Sequence, residues 1–526
     1  MKKRFVLLLA AAMTVGSLVG CSGGNETSET TVQASGAEGE ESVSGDEINV
    51  RVEIGADPGD LSPWGVNTNE SQYVKYVIYQ RLLEKDYSGE LVPLLAKEYE
   101  QIDDTHYRFV INEGITVHNG DTLTASDVVW SIKMAAESAT YSNITSGIDV
   151  ENTEVVDDTT FILALESPSI MAIENMCWIP ITSQSAYESD PDHMVNNPVG
   201  TGPYKFVEWT PGSTVEVEKF DGYWRPDSNE QNCDRITYRV ISETAQKAIE
   251  LETDGVDVLY EVGTGDVERL KGDENFTVIE ETIPTVHSIY FNCSEYSACQ
   301  NQKLRQAIAY AVDTESIAEV AYGGYATPAY SICSEAFSDW KDEYKEDGIL
   351  YAQDLEKARQ LLAEAGIQEG LELSLITNED ATRVAAAEII QANLAQIGIQ
   401  VNITSYEAAV YNTMILDPQG GWDMSLNGAT NYGSVLGIFH FQLNYKTSKR
   451  MTLIDEHFQE LLEEALAYGD EAVTDELLDY FNETLPIYPM VHLEQICAAK
   501  NTIGDFALKG SRFLFPGEWD YSNWNQ

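Results

Sequence analysis

Residues 371–403, LELSLITNEDATRVAAAEIIQANLAQIGIQVNI, place a strand pattern, a helix pattern and a second strand pattern in direct succession. In residues 371–375 and again in 399–403, every second side chain is Leu, Ile or Val, which is the period of a half-buried strand. The helix pattern between them covers about 381–397 and ends at Gly398. Two strands joined by a crossover helix lie parallel in one sheet. This stretch therefore predicts an α/β fold.

The same alternation of helix and strand continues through the second half of the chain. Residues 304–312 carry a helical stripe of apolar side chains, and Asp313 is placed to cap the next helix, which ends at Gly323. Asp354 opens a further helix that ends at Gly366. We expect this half to form one α/β lobe.

The N-terminal half has a different composition, with the patterns of strands and hairpins and a few helices. Residues 107–111 and 204–209 have the period of strands, and Pro211-Gly212 follows as a turn. Thr124 and Asp127 have the spacing of a capping box at the start of a helix. The roughly 480 residues beyond the N-terminal leader are too many for one core, so two or three domains are expected.

The leader has the features of an export signal. Residues 2–4 are basic, residues 5–13 form an apolar run too short to span a bilayer, and Leu18-Val19-Gly20-Cys21 resembles a bacterial lipobox. The resemblance implies a signal peptide over 1–20 and acyl chains on Cys21. Residues 21–48 are then a flexible tether rich in Ser, Gly, Thr and Glu. We expect a protein anchored by lipid to the extracytoplasmic face of the cell membrane, without a transmembrane helix.

Charge and motifs exclude several functions. The formal net charge of −56 becomes −59 without the basic residues of the leader, and such a surface repels nucleic acid. Beyond residue 46 the chain contains no G-x-S-x-G, H-E-x-x-H or P-loop sequence, and its seven histidines form no i, i+4 pair. We therefore expect no enzyme activity, no cofactor and no metal site.

Six cysteines follow Cys21, and none belongs to a C-x-x-C pair. Cys293 and Cys299 flank a short loop that a disulfide bond would close, which an exported protein permits. Buried free thiols are the alternative, because cysteine packs well as a small apolar side chain. The sequence leaves both open.

Six segments, in order, resemble the extracellular solute-binding proteins of family 5, the oligopeptide, dipeptide and nickel receptors of ABC importers. The segments are residues 82–96 (resembling "L…L.P.LA"), 115–128 ("V.FHDG.P.TA.DV"), 197–204 ("P.GTGPY"), 303–313 ("VRQAI..A.D"), 354–366 ("D..KA..LL.EAG") and 394–401 ("L..IGI.V"). Most of them also have a structural reading: Gly for sharp turns, Asp for caps, and Leu and Ala for helix packing. The likeness runs from about residue 50 to the C-terminus.

The resemblance implies a two-lobed, periplasmic-binding-protein-like clamp of type II that closes over a small solute. The implied boundaries are lobe I at 49–286 plus 498–526, an inserted subdomain in lobe I at about 88–196, lobe II at 288–495, and a hinge near Thr285–Ser288 and Leu493–Cys497. The implied partner is the permease of an ABC importer, and a monomer is expected.

The solute depends on one loop. In peptide-binding members of the family, an Asp in a "W.ADY.DP"-like loop pairs with the α-ammonium group of the peptide. The corresponding segment here, 422–434, places Asn431 at the Asp position and Gly428 at the Trp position. Asn431 accepts a hydrogen bond but supplies no counter-charge, and Asp423 is expected to be exposed before the strand. Nickel-chelate receptors use His near this loop, and none lies between Asp423 and Gly437.

A peptide or peptide-like solute is the default expectation, and a sugar, a glycopeptide or a metal chelate is the alternative. By position in the family pattern, the candidate ligand-binding residues are Trp64, Tyr290, Asn292, Trp422, Asn431 and Tyr432. Two other functions stay open: a lipid-anchored sensor that presents its ligand without transport, and an extracytoplasmic hydrolase, which the absence of a nucleophile–base pair disfavours.

Overall fold

A large mixed sheet runs through the computed structural model, which describes residues 47–87, 89–190, 192–430, 433–446, 448, 450, 452–509 and 513–524. The strands are β1 Asn49–Ile54, β2 Leu83–Lys85, β3 Leu91–Pro93, β4 Ala96–Asp103, β5 His106–Ile111, β6 Glu154–Val155, β7 Thr160–Ala164, β8 Tyr204–Thr210, β9 Thr214–Lys219, β10 Arg235–Val240, β11 Val258–Leu259, β12 Phe276–Phe291, β13 Ala326–Pro328, β14 Leu371–Asn378, β15 Ile399–Tyr406, β16 Met424–Thr430, β17 Ile487–Lys500, β18 Leu508–Lys509 and β19 Phe513–Leu514.

Helices cover and connect these strands. They are α1 Asn69–Ile78, α2 Ala125–Glu137, α3 Ile170–Glu174, α4 Gln184–Ser189, α5 Thr244–Glu252, α6 Val267–Lys271, α7 Gln302–Ala311, α8 Thr314–Ser316, α9 Glu343–Asp347, α10 Leu355–Glu364, α11 Ala381–Ala395, α12 Ala408–Met414, α13 Val435–Ile438, α14 Glu456–Tyr468 and α15 Glu471–Thr484. Short 3₁₀ segments span Asn175–Cys177, Ala298–Gln300 and Pro516–Glu518, and π-helical segments span Ile317–Ala321 and Phe439–Leu443. Of the described helices, none has both the length and the apolar composition needed to cross a membrane.

The predicted parallel unit is confirmed. β14 and β15 pair in parallel from Leu371↔Ile399 to Asn378↔Tyr406, and α11 connects them. Gly398 has a φ of +81°, the left-handed conformation that ends a helix most easily without a Cβ. Among the described residues, eleven strands form the sheet in the order β15-β14-β16-β12-β17-β11-β1-β10-β9-β8, with β13 paired to β17. The sheet therefore continues from the helix-rich end of the fold to the hairpin-rich end.

Two long antiparallel strands, β12 and β17, lie in the middle of this sheet. Residues 276–282 of β12 pair with 494–500 of β17, and the register shifts between Thr282 and Val286 before pairing resumes. Such an irregularity bends and twists a strand pair locally. The register shift lies at the position where the sequence predicts the hinge, and a hinge motion there stays a prediction.

Each end of the sheet has its own apolar core. One cluster packs α7, α10 and α11 onto β14, β15 and β16, and a second packs α1 and the C-terminal tail onto β1, β8, β9 and β10. A third lies between α2 and the four-stranded sheet β4-β5-β7-β6. The predicted capping box is present at α2, because the Thr124 side chain accepts from the Asp127 N–H and Asp127 accepts from the Thr124 N–H. These separate cores are consistent with lobes, whose exact boundaries stay predictions.

The glycines of the 197–204 segment act differently from the expectation of sharp turns. A Cβ on Gly200 would lie 2.1 Å from the Ile78 carbonyl oxygen, and a Cβ on Gly202 would lie 2.2 Å from the Val77 carbonyl oxygen. Neither glycine has a positive φ. Both are small because the segment presses against the C-terminal end of α1, where the Gly202 N–H donates to Ile78 O.

His118, from the 115–128 segment, forms hydrogen bonds with the same two glycines. Its ring Nε2 lies 3.0 Å from Gly202 O, and the Gly200 N–H donates to its Nδ1 at 3.3 Å. Burial lowers the pKa of His118 to about 4, so the ring is neutral at pH 7 and has one donor and one acceptor, as these two contacts require. Two segments that are about 80 residues apart therefore form one structural unit.

Arg305, from the 303–313 segment, lies inside the fold with 2% of its surface exposed. Its guanidinium donates to the carbonyl oxygens of Cys299, Gln300, Thr484 and Leu485. Thr484 is the last residue of α15, where a cation is favoured by the partial negative charge of the helix C-terminus. The segment thus fixes α7 to the end of α15.

Candidate functional site

A cavity opens between residues on opposite sides of the strand pair β12/β17. Its lining includes Tyr76, Arg81 and Tyr204 from the predicted lobe I, Ala336 and Gly433 from the predicted lobe II, and Pro284 on β12. The empty volume is about 1040 Å³ when the part open to solvent is counted, and about 90 Å³ admits the centre of a water-sized molecule. The smaller figure is the one to compare with small-molecule pockets of roughly 300–1,000 Å³, so the enclosed part of this cavity is small and the rest is open to solvent.

Aromatic rings form much of this lining. Tyr76 stacks on Phe513 with ring centroids 4.0 Å apart, and it meets Phe515 edge-to-face at 5.8 Å. The guanidinium of Arg81 lies 3.5 Å from the Tyr76 ring centroid. Such rings offer a broad apolar surface at low conformational cost, and the cation–π contact adds positive charge beside it.

Most of the charged groups in the lining have protein partners. Arg81 donates to Tyr79 O at 2.7 Å, and Glu518 accepts from the Tyr87 hydroxyl at 2.6 Å. Glu230 forms an ion pair with Arg225 at 3.1 Å. These contacts hold the side chains in place before any solute arrives.

Two carboxyl groups outside the cavity lining lie close enough to the lining residue Lys85 to interact with its charge. Asp339 accepts from the Val435 N–H at 2.8 Å and from the Cys333 thiol at 3.3 Å, and burial raises its pKa. Burial also raises the pKa of Glu174, against the opposing effect of the nearby Lys85 ammonium. Glu174 belongs to the predicted lobe I and Asp339 to the predicted lobe II. The two carboxyls therefore lie where the two sides of the cleft meet.

The candidate residues from the family pattern occupy more interior positions. Trp64 is buried beside Trp130, and its indole donates to Pro180 O at 3.1 Å. Trp422 is buried and donates to Met414 O at 3.1 Å. Tyr290 is buried in an apolar cluster with Val286 and Phe439. Their rings serve packing in the described structure, and their contact with a solute stays a prediction.

The structure brings two of these candidates together. Asn292 is buried and donates to Trp422 O at 2.9 Å and to Pro418 O at 2.8 Å. Within the described part of the chain, none of Trp64, Tyr290, Asn292 and Trp422 lines the cavity. Asn292 and Trp422 instead brace the turn that leads into β16.

Asn431 and Tyr432 lie outside the described residues, as does Cys21. Gly433, which directly follows Tyr432, lines the cavity. The expectation that Asp423 is exposed is wrong: it is half-buried and accepts from the Ser297 hydroxyl at 2.6 Å and from the Ser374 N–H at 2.8 Å. It joins β14 to β16 and is not available as a counter-charge for a solute.

Gly428, at the position of the family Trp, has a packing reason to be small. A Cβ there would lie 2.7 Å from the His287 ring. His287 contacts the Tyr322 hydroxyl through Nδ1 at 2.6 Å, and Nη2 of Arg383 lies 3.4 Å from its Nε2. Burial, aided by the Arg383 charge, lowers the pKa of His287 to about 3, so the ring is neutral and connects two side chains. It is not tuned as a base for chemistry near pH 7.

The cysteines of the described residues are all inside the fold. Each of the six in the described residues is a buried free thiol, including Cys293 and Cys299, and burial raises their pKa. A raised pKa leaves little of the thiolate that nucleophilic or metal-binding cysteines need. Within the described ranges, no group of three or more His, Cys, Asp or Glu side chains is arranged to hold a metal ion.

The sequence patterns did not identify the cavity residues Tyr76, Arg81, Lys85, Phe513 and Phe515. The one signal for them is composition: the tail segment RFLFPGEWDY at 512–521 is rich in aromatic residues. Nothing in the periodicity relates this tail to residues 76–85, which lie more than 400 positions earlier.

Comparison with known proteins identifies the fold. Residues 90–444 match the family described as bacterial extracellular solute-binding proteins, family 5 Middle. The glutathione-binding protein GsiB of Pectobacterium atrosepticum is 28% identical over 364 residues, which are 68% of this chain and 69% of GsiB.

Two solved structures have the same fold. The ABC transporter substrate binding protein CtaP of Listeria monocytogenes is 21% identical and has a TM-score of 0.78, with 90% of this chain and 99% of CtaP covered. The periplasmic binding protein DppA of Helicobacter pylori, in complex with the peptide STSA, is 22% identical and has a TM-score of 0.74, with 90% of this chain and 98% of DppA covered. The predicted two-lobed, periplasmic-binding-protein-like α/β fold is confirmed.

Proposed function

Because the chain belongs to the bacterial extracellular solute-binding proteins of family 5, we propose that it captures a short peptide or peptide-like solute and delivers it to the permease of an ABC importer. The observation that carries this proposal is the cavity, lined from the predicted lobe I by Tyr76 and Phe513 and from the predicted lobe II by Ala336 and Gly433. A solute in this cavity contacts both sides of the β12/β17 pair, so it stabilises the closed arrangement of the two lobes.

The solute class follows from the lining and from the relatives. Stacked rings beside fixed charges suit a small molecule with an apolar part and polar ends, as in a peptide of a few residues. GsiB is named for binding glutathione, and DppA was solved with a tetrapeptide. We therefore place short peptides first, and glutathione among them.

The remaining features of the proposal come from the sequence. Acyl chains on Cys21 anchor the receptor at the extracytoplasmic face of the cell membrane, and residues 21–48 tether it there. Lobe I at 49–286 plus 498–526 and lobe II at 288–495 close about the irregular part of β12 and β17. The receptor acts as a monomer and without catalysis.

A binding panel tests the proposal. Purified protein lacking residues 1–21 is titrated by calorimetry with glutathione, di- to pentapeptides, a maltose-type sugar and nickel with histidine, and its melting temperature is recorded with each. A peptide that binds raises the melting temperature as its concentration exceeds the Kd. It also reduces the radius of gyration in small-angle scattering. Binding of the sugar or the chelate alone would refute the peptide class, and binding without compaction would refute closure.

A further inference from the structure

Lys85 differs from every other charged residue in the cavity lining. The charged lining residues are Arg81, Glu84, Lys85, Glu230 and Glu518. Arg81, Glu230 and Glu518 have the partners described above, and Glu84 also has an interaction partner. Lys85 is half-buried, and among the residues that the structure describes its ammonium has no hydrogen bond and no carboxylate within 4.0 Å.

The position of Lys85 places its ammonium across the cleft. Lys85 ends β2 on the first side, and a Cβ built on Gly433 of the opposite side would lie 3.9 Å from its Nζ. Asp339 and Glu174 are close enough to attract this charge. Both Asp339 oxygens, however, already accept from Val435 and Cys333. No carboxylate of the described residues lies within 4.0 Å of the ammonium, so these two groups attract Lys85 only from a distance.

An ammonium group has three donors and no acceptor, and partial removal from water without partners costs free energy. A carboxylate entering the cavity supplies acceptors for an ammonium that has none among the described residues. Arg81 adds a second cation in the same lining, and its buried Nε has no acceptor among the described residues. Asp339 and Glu174 already offset part of the positive charge of Lys85. The remaining charge therefore suits a ligand with a single negative charge better than a doubly charged phosphate.

We propose that Lys85 binds a carboxylate of the solute, so that the receptor selects peptides with a free acidic group beside an apolar side chain. This inference rests on the proposed receptor function and adds the residue that selects the solute. The apolar side chain lies against Tyr76 and Phe513, and the carboxylate bridges Lys85 to the Gly433 side of the cleft.

Calorimetric titration with matched ligands tests this assignment. The probes are Ala-Phe-Ala, its C-terminal amide, and the amide of Ala-Phe-Glu, titrated into the wild type, Lys85→Met, Lys85→Arg and the control Lys97→Met. Lys97 is exposed and outside the cavity lining. We expect the wild type and Lys97→Met to bind the acid at least tenfold more tightly than the Ala-Phe-Ala amide. Lys85→Met should remove this preference, and Lys85→Arg should keep most of it.

The outcomes separate the inference from the function beneath it. Equal affinity of the wild type for acid and amide, or an acid preference that survives in Lys85→Met, overturns the role of Lys85 and leaves the receptor function standing. Failure of the wild type to bind any peptide overturns both. Tight binding of the Ala-Phe-Glu amide assigns the carboxylate to a side chain, and weak binding assigns it to the C-terminus. Lys85→Met breaks no hydrogen bond or ion pair among the described residues, so a change in the melting temperature of the free protein reports only the lost attraction to Asp339 and Glu174.

Discussion

Met171 offers a direct test of closure, because its side chain belongs to a core on the opposite side of the cleft. It lies on α3, in the predicted inserted subdomain, with 3% of its surface exposed. Its neighbours in the apolar cluster include Phe439 and Leu462 of the predicted lobe II. Ile170 also reaches the predicted lobe II, since a Cβ on Gly469 would lie 3.2 Å from its Cδ1.

Truncation of Met171 should shift the closing equilibrium more than it unfolds either lobe. Full burial of a Met side chain contributes about 1.5–3 kcal/mol. If the contact exists only in the closed form, Met171→Ala lowers the stability of that form by about 2 kcal/mol. Because about 1.4 kcal/mol corresponds to a factor of ten, the Kd for a solute held by closure rises by about 30-fold.

Met176→Ala is the matched control. Met176 lies five positions away and is fully buried, but its cluster is the one beneath the four-stranded sheet of its own subdomain. We expect Met176→Ala to lower the melting temperature without weakening solute binding. Met171→Ala should weaken binding and raise the radius of gyration of the solute-saturated protein. If both variants lose stability alike and keep the wild-type Kd, the α3 contact does not depend on closure and the reasoning is refuted.

Two further predictions concern the frame of the fold. Arg305→Met leaves buried carbonyl groups without a donor and should lower the free energy of unfolding, measured with urea, by roughly 3 kcal/mol or more. Arg305→Lys should recover only part of this loss. The control Arg359→Met, at an exposed position, should change the free energy of unfolding little. Burial lowers the pKa of His118, His287 and His492 from 6.5 to about 4, about 3 and about 4. The unfolded chain therefore binds more protons between these values, and stability falls by roughly 3 kcal/mol per histidine as the pH drops from 6.5 toward 4. His118→Gln keeps a donor and should lose its share of this slope in melting curves, and an unchanged slope would contradict the burial of a neutral ring.

Local features were predictable because each depends on neighbours in sequence. The parallel unit at 371–403 follows from side-chain period, and the capping box at Thr124 from a spacing of three residues. The left-handed φ of Gly366, at +70°, follows from the end of a helical stripe. In each case the residues that determine the local structure lie within one short segment of the sequence.

The glycines at 200, 202 and 428 show where local reasoning fails. Each is small because a distant group occupies the space of its side chain: the α1 backbone for the first two and the His287 ring for the third. A glycine that a turn requires and a glycine that a neighbouring segment requires for space look the same in the sequence. Only the packed structure distinguishes them, because the competing atoms come from other segments.

The cavity extends this limit to function. The segments that resemble the family determine helix ends, the contacts of His118 with Gly200 and Gly202, and the contacts of Arg305. Their match to the family pattern therefore identifies the fold. The groups that line the cavity come instead from residues 76–85, the tail at 513–518 and the loop at Gly433, which converge only after folding. If Asn431 occupies the position of the family Asp, as the sequence predicts, the proposed role of Lys85 supplies a charge for the peptide from the other side of the cleft. If Lys85 has that role, the receptor recognises its solute by the acidic group where the family pattern relies on the amino group.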